Sequence, residues 1–350
     1  MSETLNSGTI LWSRYRILDL VGRGGMGAIY QAEDLRLEGR LCAIKEVIPD
    51  TDASKEFQEQ SQAAFHREAS ILARLDHANL PKVSDFFLFN GRNYLVMDFV
   101  PGQDLREIIE SARHKSSFLP ENQVLTWAEQ LINALHYLHE QDPPVLHRDV
   151  KPSNIKLTPN GTIKLVDFGL VKLMVPDDNR TITVLQGRAT IQYAPLEQIG
   201  GDVGYTDVRS DIYSVGATLF HLLTNEPPPD AKTRYLKAKQ QGQLDIGDKR
   251  PDVSTQTEQA VLHALGLHPE DRPADIQQFR QELLANAPIV INGQTTNGWR
   301  FAIWRNRVLL ALVTALLTLA IILTFTPGIS SQGSGEVESP QSNPVSEVNP

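Results

Sequence analysis

"LVGRGGMGAIY", residues 20–30, is the stretch on which the fold turns, with Gly22, Gly24 and Gly27 in G-x-G-x-x-G spacing. Two unrelated phosphate sites use that spacing. In a dinucleotide fold the loop joins a strand to a helix; in the other it lies between two strands, over a triphosphate. A plain glycine-rich turn is the third reading. The spacing alone leaves all three open, and Glu46, 24 residues past Gly22, even supplies the acid a dinucleotide fold uses. The flanks decide. "YRILDLVG" enters the loop and "AIYQAED" leaves it, both with strand character, and "RLCAIKEV" alternates as a third strand. "SKEFQEQSQAAFHREASILARLDH", residues 54–77, reads as a helix. "VSDFFLF" and "NYLVMDFV" follow as strands, parted by Asn90-Gly91-Arg92, a tight-turn signal. A glycine loop between two strands disfavours the dinucleotide fold.

The helix sharpens the reading. Phe65, Glu68, Ala69 and Leu72 fall at i, i+3, i+4 and i+7, so Glu68 sits on the inward face. A carboxylate there wants a cation, and Lys45, on the preceding strand, is the obvious partner. A lone glutamate on such a stripe is ordinarily a boundary residue; the strand lysine and the glycine loop shift the balance toward function.

Gly22-x-Gly24-x-x-Gly27-x-Ile29, Ala43-Ile44-Lys45 and Glu68 together resemble the small lobe of a protein kinase. "VLHRDVKPSNIKL", residues 145–157, extends the resemblance, since His147, Arg148, Asp149 and Asn154 match H-R-D-x-x-x-x-N. Asp167-Phe168-Gly169 follows, with Asp167 13 residues after Asn154. The resemblance implies an α+β, bilobal protein-kinase fold. Its small antiparallel β lobe with one helix would occupy about residues 14–100, and its large helical lobe about 101–285. It further implies transfer of the γ-phosphoryl group of ATP to Ser/Thr hydroxyls of protein substrates, with Mg²⁺, or Mn²⁺ in its place, as cofactor.

Residue roles follow from the same resemblance. Lys45 would grip the α- and β-phosphates and Glu68 would hold Lys45, while Gly22, Gly24 and Gly27 let backbone N–H groups approach the phosphates. Asp149 would accept the proton of the substrate hydroxyl, and Lys151, which marks Ser/Thr rather than Tyr substrates, would steady the γ-phosphate. Asn154 and Asp167 would hold the metal. Ile29 and Ala43 would cover the adenine, Met97 would gate the back pocket, and the Asp98 carbonyl and Val100 amide would meet the adenine edge. Asp104 would suit the ribose. Lys156 departs from the family, standing where an apolar residue usually floors the adenine, so its stem would serve while its ammonium reaches out. Glu197 and Arg272 would form a structural ion pair, although Leu196 replaces the proline usual before that glutamate. Asp211 would hold the catalytic loop's backbone, and Thr190 would pack against Asp149 and Lys151.

Regulation has two equal readings. Arg148 often accompanies control by activation-loop phosphorylation, which makes Thr181 and Thr183 candidate sites of trans-autophosphorylation in a dimer. They read equally well as solvated loop threonines. Two rival functions are a nucleotide-binding scaffold without transfer and a small-molecule kinase. The full set of Lys45, Glu68, Asp149, Asn154 and Asp167 opposes the first; Lys151 and the segment through Glu197 oppose the second.

The rest of the chain bounds its setting. A net charge of −9 offers no basic field for nucleic acid, and a single cysteine, Cys42, excludes an internal disulfide framework. "MSETLNSGTILWSRYRI" lacks the pattern of a signal peptide. Residues 308–326, "VLLALVTALLTLAIILTFT", hold no charge, and as a helix would span roughly 28 Å, close to the hydrocarbon core of a bilayer. Trp299 and Trp304 with Arg300, Arg305 and Arg307 precede it, whereas residues 327–350 contain no Lys or Arg. The expectation is a single-pass transmembrane helix after a juxtamembrane linker at 286–307. The kinase domain would then be cytoplasmic and the tail at 327–350 disordered and extracytoplasmic.

Overall fold

The computed structural model describes residues 4–24, 27–48, 53–167, 191–199, 206–237, 244–285, 289–291 and 294–296. The chain divides into two compact units, Met1–Ala285 and Asn286–Pro350.

The first unit begins with a six-stranded antiparallel sheet in the order β1-β2-β3-β4-β6-β5. The strands are β1 (Ile10–Leu11), β2 (Tyr15–Gly24), β3 (Gly27–Asp34), β4 (Leu41–Val47), β5 (Val83–Phe89) and β6 (Arg92–Asp98). Alternation sends their side chains to two faces, and both faces are covered. On the inner face Val47, Leu95 and Met97 pack with Phe65, Ala69 and Leu72 of α1 (Lys55–Leu72). The outer face has a core of its own, built from Tyr15, Ile17, Tyr30, Ile44, Phe87, Tyr94 and Val96. Phe87 stacks between Trp12, Tyr15 and Tyr94, with centroids at 4.9, 5.8 and 5.3 Å. Leu5 and Leu11 close this core, so the segment before β2, to which the sequence reading gave no structural role, is part of the lobe.

α1 starts at Ser54, whose hydroxyl accepts from the Phe57 amide, and ends at Leu72 rather than running on to His77. Tertiary contact stops it. The Asp76 amide donates to the Tyr137 hydroxyl and the His77 ring stacks on Tyr137, which binds this turn to the large lobe.

The large lobe opens with β7 (Gln103–Asp104) and α2 (Leu105–His114), then α3 (Glu121–His139), β8 (Ile155–Leu157) and β9 (Ile163–Leu165). α4 (Leu196–Ile199), α5 (Val208–Thr224), α6 (Ala231–Lys237), α7 (Thr255–Ala264) and α8 (Ile276–Leu284) complete it. Val124, Ala128, Leu131, Leu135 and Leu138 form the buried stripe of α3. α5 is buried nearly all round, with α3, α7 and α8 packed about it.

One ion pair braces this lobe. Arg272 meets Glu197 through two bonds, at 2.7 and 3.0 Å, with both residues buried. Its remaining N–H groups donate to the carbonyls of Gly266, Arg209 and Leu267, and Glu197 also accepts from Ser210. No charge in the pair is left unsolvated.

In the second unit β10 (Ile289–Ile291) pairs with β11 (Gln294–Thr296), antiparallel, inside the stretch expected as plain linker. The intervening Asn292-Gly293 between β-branched residues is the hairpin signal that the sequence reading passed over. The expected span at 308–326 and tail at 327–350 lie outside the described residues. Among the described residues no helix is long and apolar enough to cross a membrane.

Breaking the brace from one side should strand a buried charge. Arg272→Met is expected to lower stability by about 3–5 kcal/mol in urea unfolding, and Glu197→Met in the same chain should restore part of it.

Candidate active site

Three short strands assemble the floor of the cleft. β7, β8 and β9 pair in that order, with Asp104 opposite Lys156 and Ile155 opposite Leu165. This sheet brings the end of β7 (Asp104), the approach to β8 (Asn154) and the exit from β9 (Asp167) into one region. The Val166 amide donates to the Asn154 carbonyl at 2.8 Å, tying the last two together. Asn79 fastens β9 from the other side, donating to the Ile163 carbonyl and accepting from the Leu165 amide through its own.

The loop between α3 and β8 holds Asp149, Lys151 and Asn154. Asp149 Oδ2 accepts from Lys151 Nζ and from Asn154 Nδ2, both at 2.9 Å. Asn154 Nδ2 also donates to the Asp149 carbonyl, at 2.9 Å. An acid, a cation and an amide are thereby locked into one constellation. The loop is held by Asp211 in the first turn of α5, which is wholly buried. Its Oδ1 accepts from the Arg148 amide at 2.8 Å, and its Oδ2 accepts from the His147 amide at 2.9 Å and faces His139 Nε2 at 3.0 Å. Burial opposes this charge, but His139, His147 and their hydrogen bonds outweigh it and keep the carboxyl below its ordinary range. Arg148 takes a left-handed conformation, φ 62°, and Asp167 another, φ 63°. Such strain persists only where its surroundings over-determine it.

Across the cleft, β4 presents Lys45 on its inner face, level with Ile29 on β3 and Leu95 on β6. Lys45 Nζ bonds to Asp167 Oδ1, which joins the two lobes. The glycine loop is a hairpin, with Gly22 opposite Ile29 and Gly24 opposite Gly27. Gly27 has φ 151°, and a Cβ there would lie 1.9 Å from the Glu46 carbonyl oxygen, so only glycine fits.

A match to the protein kinase domain family spans residues 15–288. The chain belongs to the protein kinase family. A probable serine/threonine-protein kinase PknB of Lactococcus lactis is 30% identical over 290 residues, 82% of this chain and 44% of that protein. A probable serine/threonine-protein kinase of Streptomyces coelicolor, SCO3848, is 34% identical over 285 residues, 79% of this chain and 40% of that one. The chain therefore spans under half the length of either relative. Among solved structures, PpkA-294 in its apo form superposes with TM-score 0.65 at 30% identity, covering 81% of this chain and 100% of that one. The PknI kinase domain of Mycobacterium tuberculosis does so with TM-score 0.61 at 27% identity, covering 82% and 100%.

The kinase fold, a β lobe over a helical lobe, places the remaining residues. Ala43 and Met97 pair across β4 and β6 on the cleft side, and Val100 is buried just beyond β6. The Asp98 carboxylate faces Arg40 at 3.5 Å and accepts from the Lys82 amide. Asp104 Oδ1 caps α2 by accepting from the Glu107 amide, and Glu107 answers to the Asp104 amide, each at 2.9 Å. Burial raises the Asp104 carboxyl, and the hydrogen bond from the Glu107 amide, with weaker help from Arg106 and Lys156, draws it partly back. Phe168, Gly169, Thr181, Thr183 and Thr190 lie outside the described residues.

The donor set suits a hard cation. Asn154 spends its amide nitrogen on Asp149, which leaves its carbonyl oxygen for a metal, and Asp167 adds a carboxylate. Among the described residues no group of three or more His, Cys, Asp or Glu suited to a metal occurs.

Glu68 stands apart from its expected partner. Lys45 bonds to Asp167, and the buried Oε2 of Glu68 makes no hydrogen bond among the described residues. Burial pushes its carboxyl up to about 7, against the pull of Arg148 and, less strongly, of Lys45. Two participants escaped the sequence reading: His139, the third partner of Asp211, and Glu46, which alternation along β4 places among outer-face tyrosines.

Because its carboxyl is raised by folding, Glu68 favours the native state below its unfolded value of 4.5 and loses that contribution as pH rises through about 7. Glu68→Gln should remove this slope. Unfolding of the nucleotide-free protein should show the variant gaining on the wild type by on the order of 1 kcal/mol between pH 5 and 8.

Proposed function

We propose that this chain is a serine/threonine protein kinase, moving the γ-phosphoryl group of Mg·ATP to protein hydroxyls, held at a membrane by residues 308–326 with the kinase domain on the cytoplasmic side. The locked set of Asp149, Lys151 and Asn154 carries the reading. A carboxylate whose orientation is fixed by two donors is a pre-set base, and a lysine bonded to it puts a positive charge beside the transferred group. In the transfer the substrate Ser/Thr oxygen forms a bond to the γ-phosphorus as the bond from that phosphorus to the β–γ bridging oxygen breaks. The hydroxyl proton passes to Asp149, and ADP leaves with the bridging oxygen. Lys45 aligns the α- and β-phosphates from the small lobe, and Gly22, Gly24 and Gly27 bring backbone N–H groups to them. Asn154 and Asp167 would hold Mg²⁺, which neutralises phosphate charge when bound.

Lys151 beside Asp149 favours a Ser/Thr acceptor, and the kinship with bacterial serine/threonine kinases agrees. The apolar run after an Arg- and Trp-rich flank supports the membrane anchor. Thr181 and Thr183 are proposed as autophosphorylation sites in trans, with Arg148 as the partner of the phosphate.

Asp149→Asn should reduce transfer to a generic basic protein by at least about a hundredfold while Mg·ATP binding persists. Transfer to small alcohols but not to proteins would overturn the protein-kinase reading. Mass spectrometry of protein made with ATP should find phosphate on Thr181 or Thr183, and none in a Lys45→Met variant. The full chain should partition with membranes, and a chain ending at residue 307 should not.

A further inference from the structure

A heavily bonded acid of the small lobe lies on the far side of its sheet from the cleft. Glu46 follows Lys45 on β4, and strand alternation turns its side chain outward, where it is almost fully buried. Its Oε1 accepts from Arg92 Nη1 at 2.7 Å and from the Tyr94 hydroxyl at 3.1 Å; its Oε2 accepts from the Tyr30 hydroxyl at 3.0 Å. These donors come from β3 and β6, the two neighbours of β4. The Tyr30 hydroxyl in turn accepts from the Leu5 amide at 3.1 Å, so the N-terminal segment closes the network. Burial of the Tyr94 and Tyr30 rings raises both phenols, and neither loses its proton in the physiological range.

Three attachments make this residue more than a buried salt bridge. Its side chain ties β3, β4 and β6 together. Its backbone carbonyl is the surface against which Gly27 of the glycine loop packs, with no room for a Cβ. The residue before it is Lys45, whose ammonium reaches Asp167. A shift of β4 relative to its neighbours therefore moves the lysine and the base of the phosphate loop together. An apolar outer face would leave both set only by backbone pairing. A carboxylate with three donors from two strands fixes them laterally as well.

We propose that Glu46 is a positioning residue for nucleotide binding: through Tyr30, Arg92 and Tyr94 it sets where β4 holds Lys45 and Gly27 against the phosphates of ATP. This rests on the reading of the cleft as an ATP site, not on the reading of the protein as a transferring kinase.

The test uses the full chain and Mg·ATP as probe, by calorimetry and by steady-state kinetics well below the melting temperature of every variant. Glu46→Gln keeps shape but turns an amide donor toward the Tyr30 hydroxyl; Tyr30→Phe removes one donor alone. Phe279→Leu, in the buried core of α8, serves as a control that loses a comparable melting temperature. Glu46→Gln should weaken Mg·ATP binding about fivefold or more, with Tyr30→Phe intermediate and the control unchanged. KM for ATP should rise with it, while KM for a protein acceptor stays constant. Should Glu46→Gln melt earlier yet bind Mg·ATP within about twofold of wild type, its role is stability alone and the proposal falls. A wild-type chain that binds no Mg·ATP overturns it outright. One that binds Mg·ATP but transfers to no protein refutes the kinase reading, while the affinity comparison still decides the role of Glu46.

Discussion

The site depends on one buried carboxylate. Asp211 has no exposure to solvent, and its two oxygens take the consecutive amides of His147 and Arg148 and face the ring of His139. Two successive amides aimed at one carboxylate force the chain into a tight turn, which is where Arg148 adopts its left-handed conformation. The next residue is Asp149, so its direction is inherited from that turn. A charge of this kind is stable only while every lone pair is used. The helix bearing it, α5, is accordingly the most enclosed in the lobe, and the residue before it, Ser210, bonds to Glu197 of the brace. Catalytic loop and structural ion pair thus hang on adjacent residues of one helix.

Much of this was legible from sequence because the strands alternate cleanly and the motif residues stand in fixed order. The boundaries of β3 and β5 and the buried stripe of α3 followed from periodicity. What escaped has a common cause. The end of α1 was set by Tyr137, more than sixty residues away on the page but in contact in space. The cover of the outer face comes from Leu5 and Leu11, in a segment too short to show a period. The hairpin at 289–296 did carry a local signal, Asn292-Gly293, beside a much longer apolar run. In sequence Glu46 is only a spacing match for a different fold; its meaning needs the register that sets it beside Tyr94 and Ala28.

The cation at the cleft shows where sequence reasoning and geometry part. Lys45 has two acids within its field, Glu68 and Asp167, and bonds to the second. Asp167 stays part-exposed, so the lysine extending from β4 pairs there without enclosing a carboxylate. Glu68, deeper and flanked by Arg148 as well, meets its burial by holding its proton near neutrality instead. Asp167 is also the proposed metal ligand, so this bond ties up one of the oxygens that Mg²⁺ would use. On the proposed reading, Mg·ATP would exchange these partners, with Asp167 among the residues that hold the metal and Lys45 turned to the phosphates.

That exchange bears on Glu68, whose carboxyl burial pushes up to about 7. Were Lys45 turned from Asp167, Glu68 would be an acid within its field on the small-lobe side. A carboxyl drawn closer to a lysine ionises more readily, so on the proposed reading the Glu68 proton would be held less firmly with nucleotide bound. This needs no movement of the large lobe, whose loop is already pinned by Asp211. It asks only that β4 keep Lys45 within reach of both acids, which places the demand for rigidity on the sheet and not on the helix.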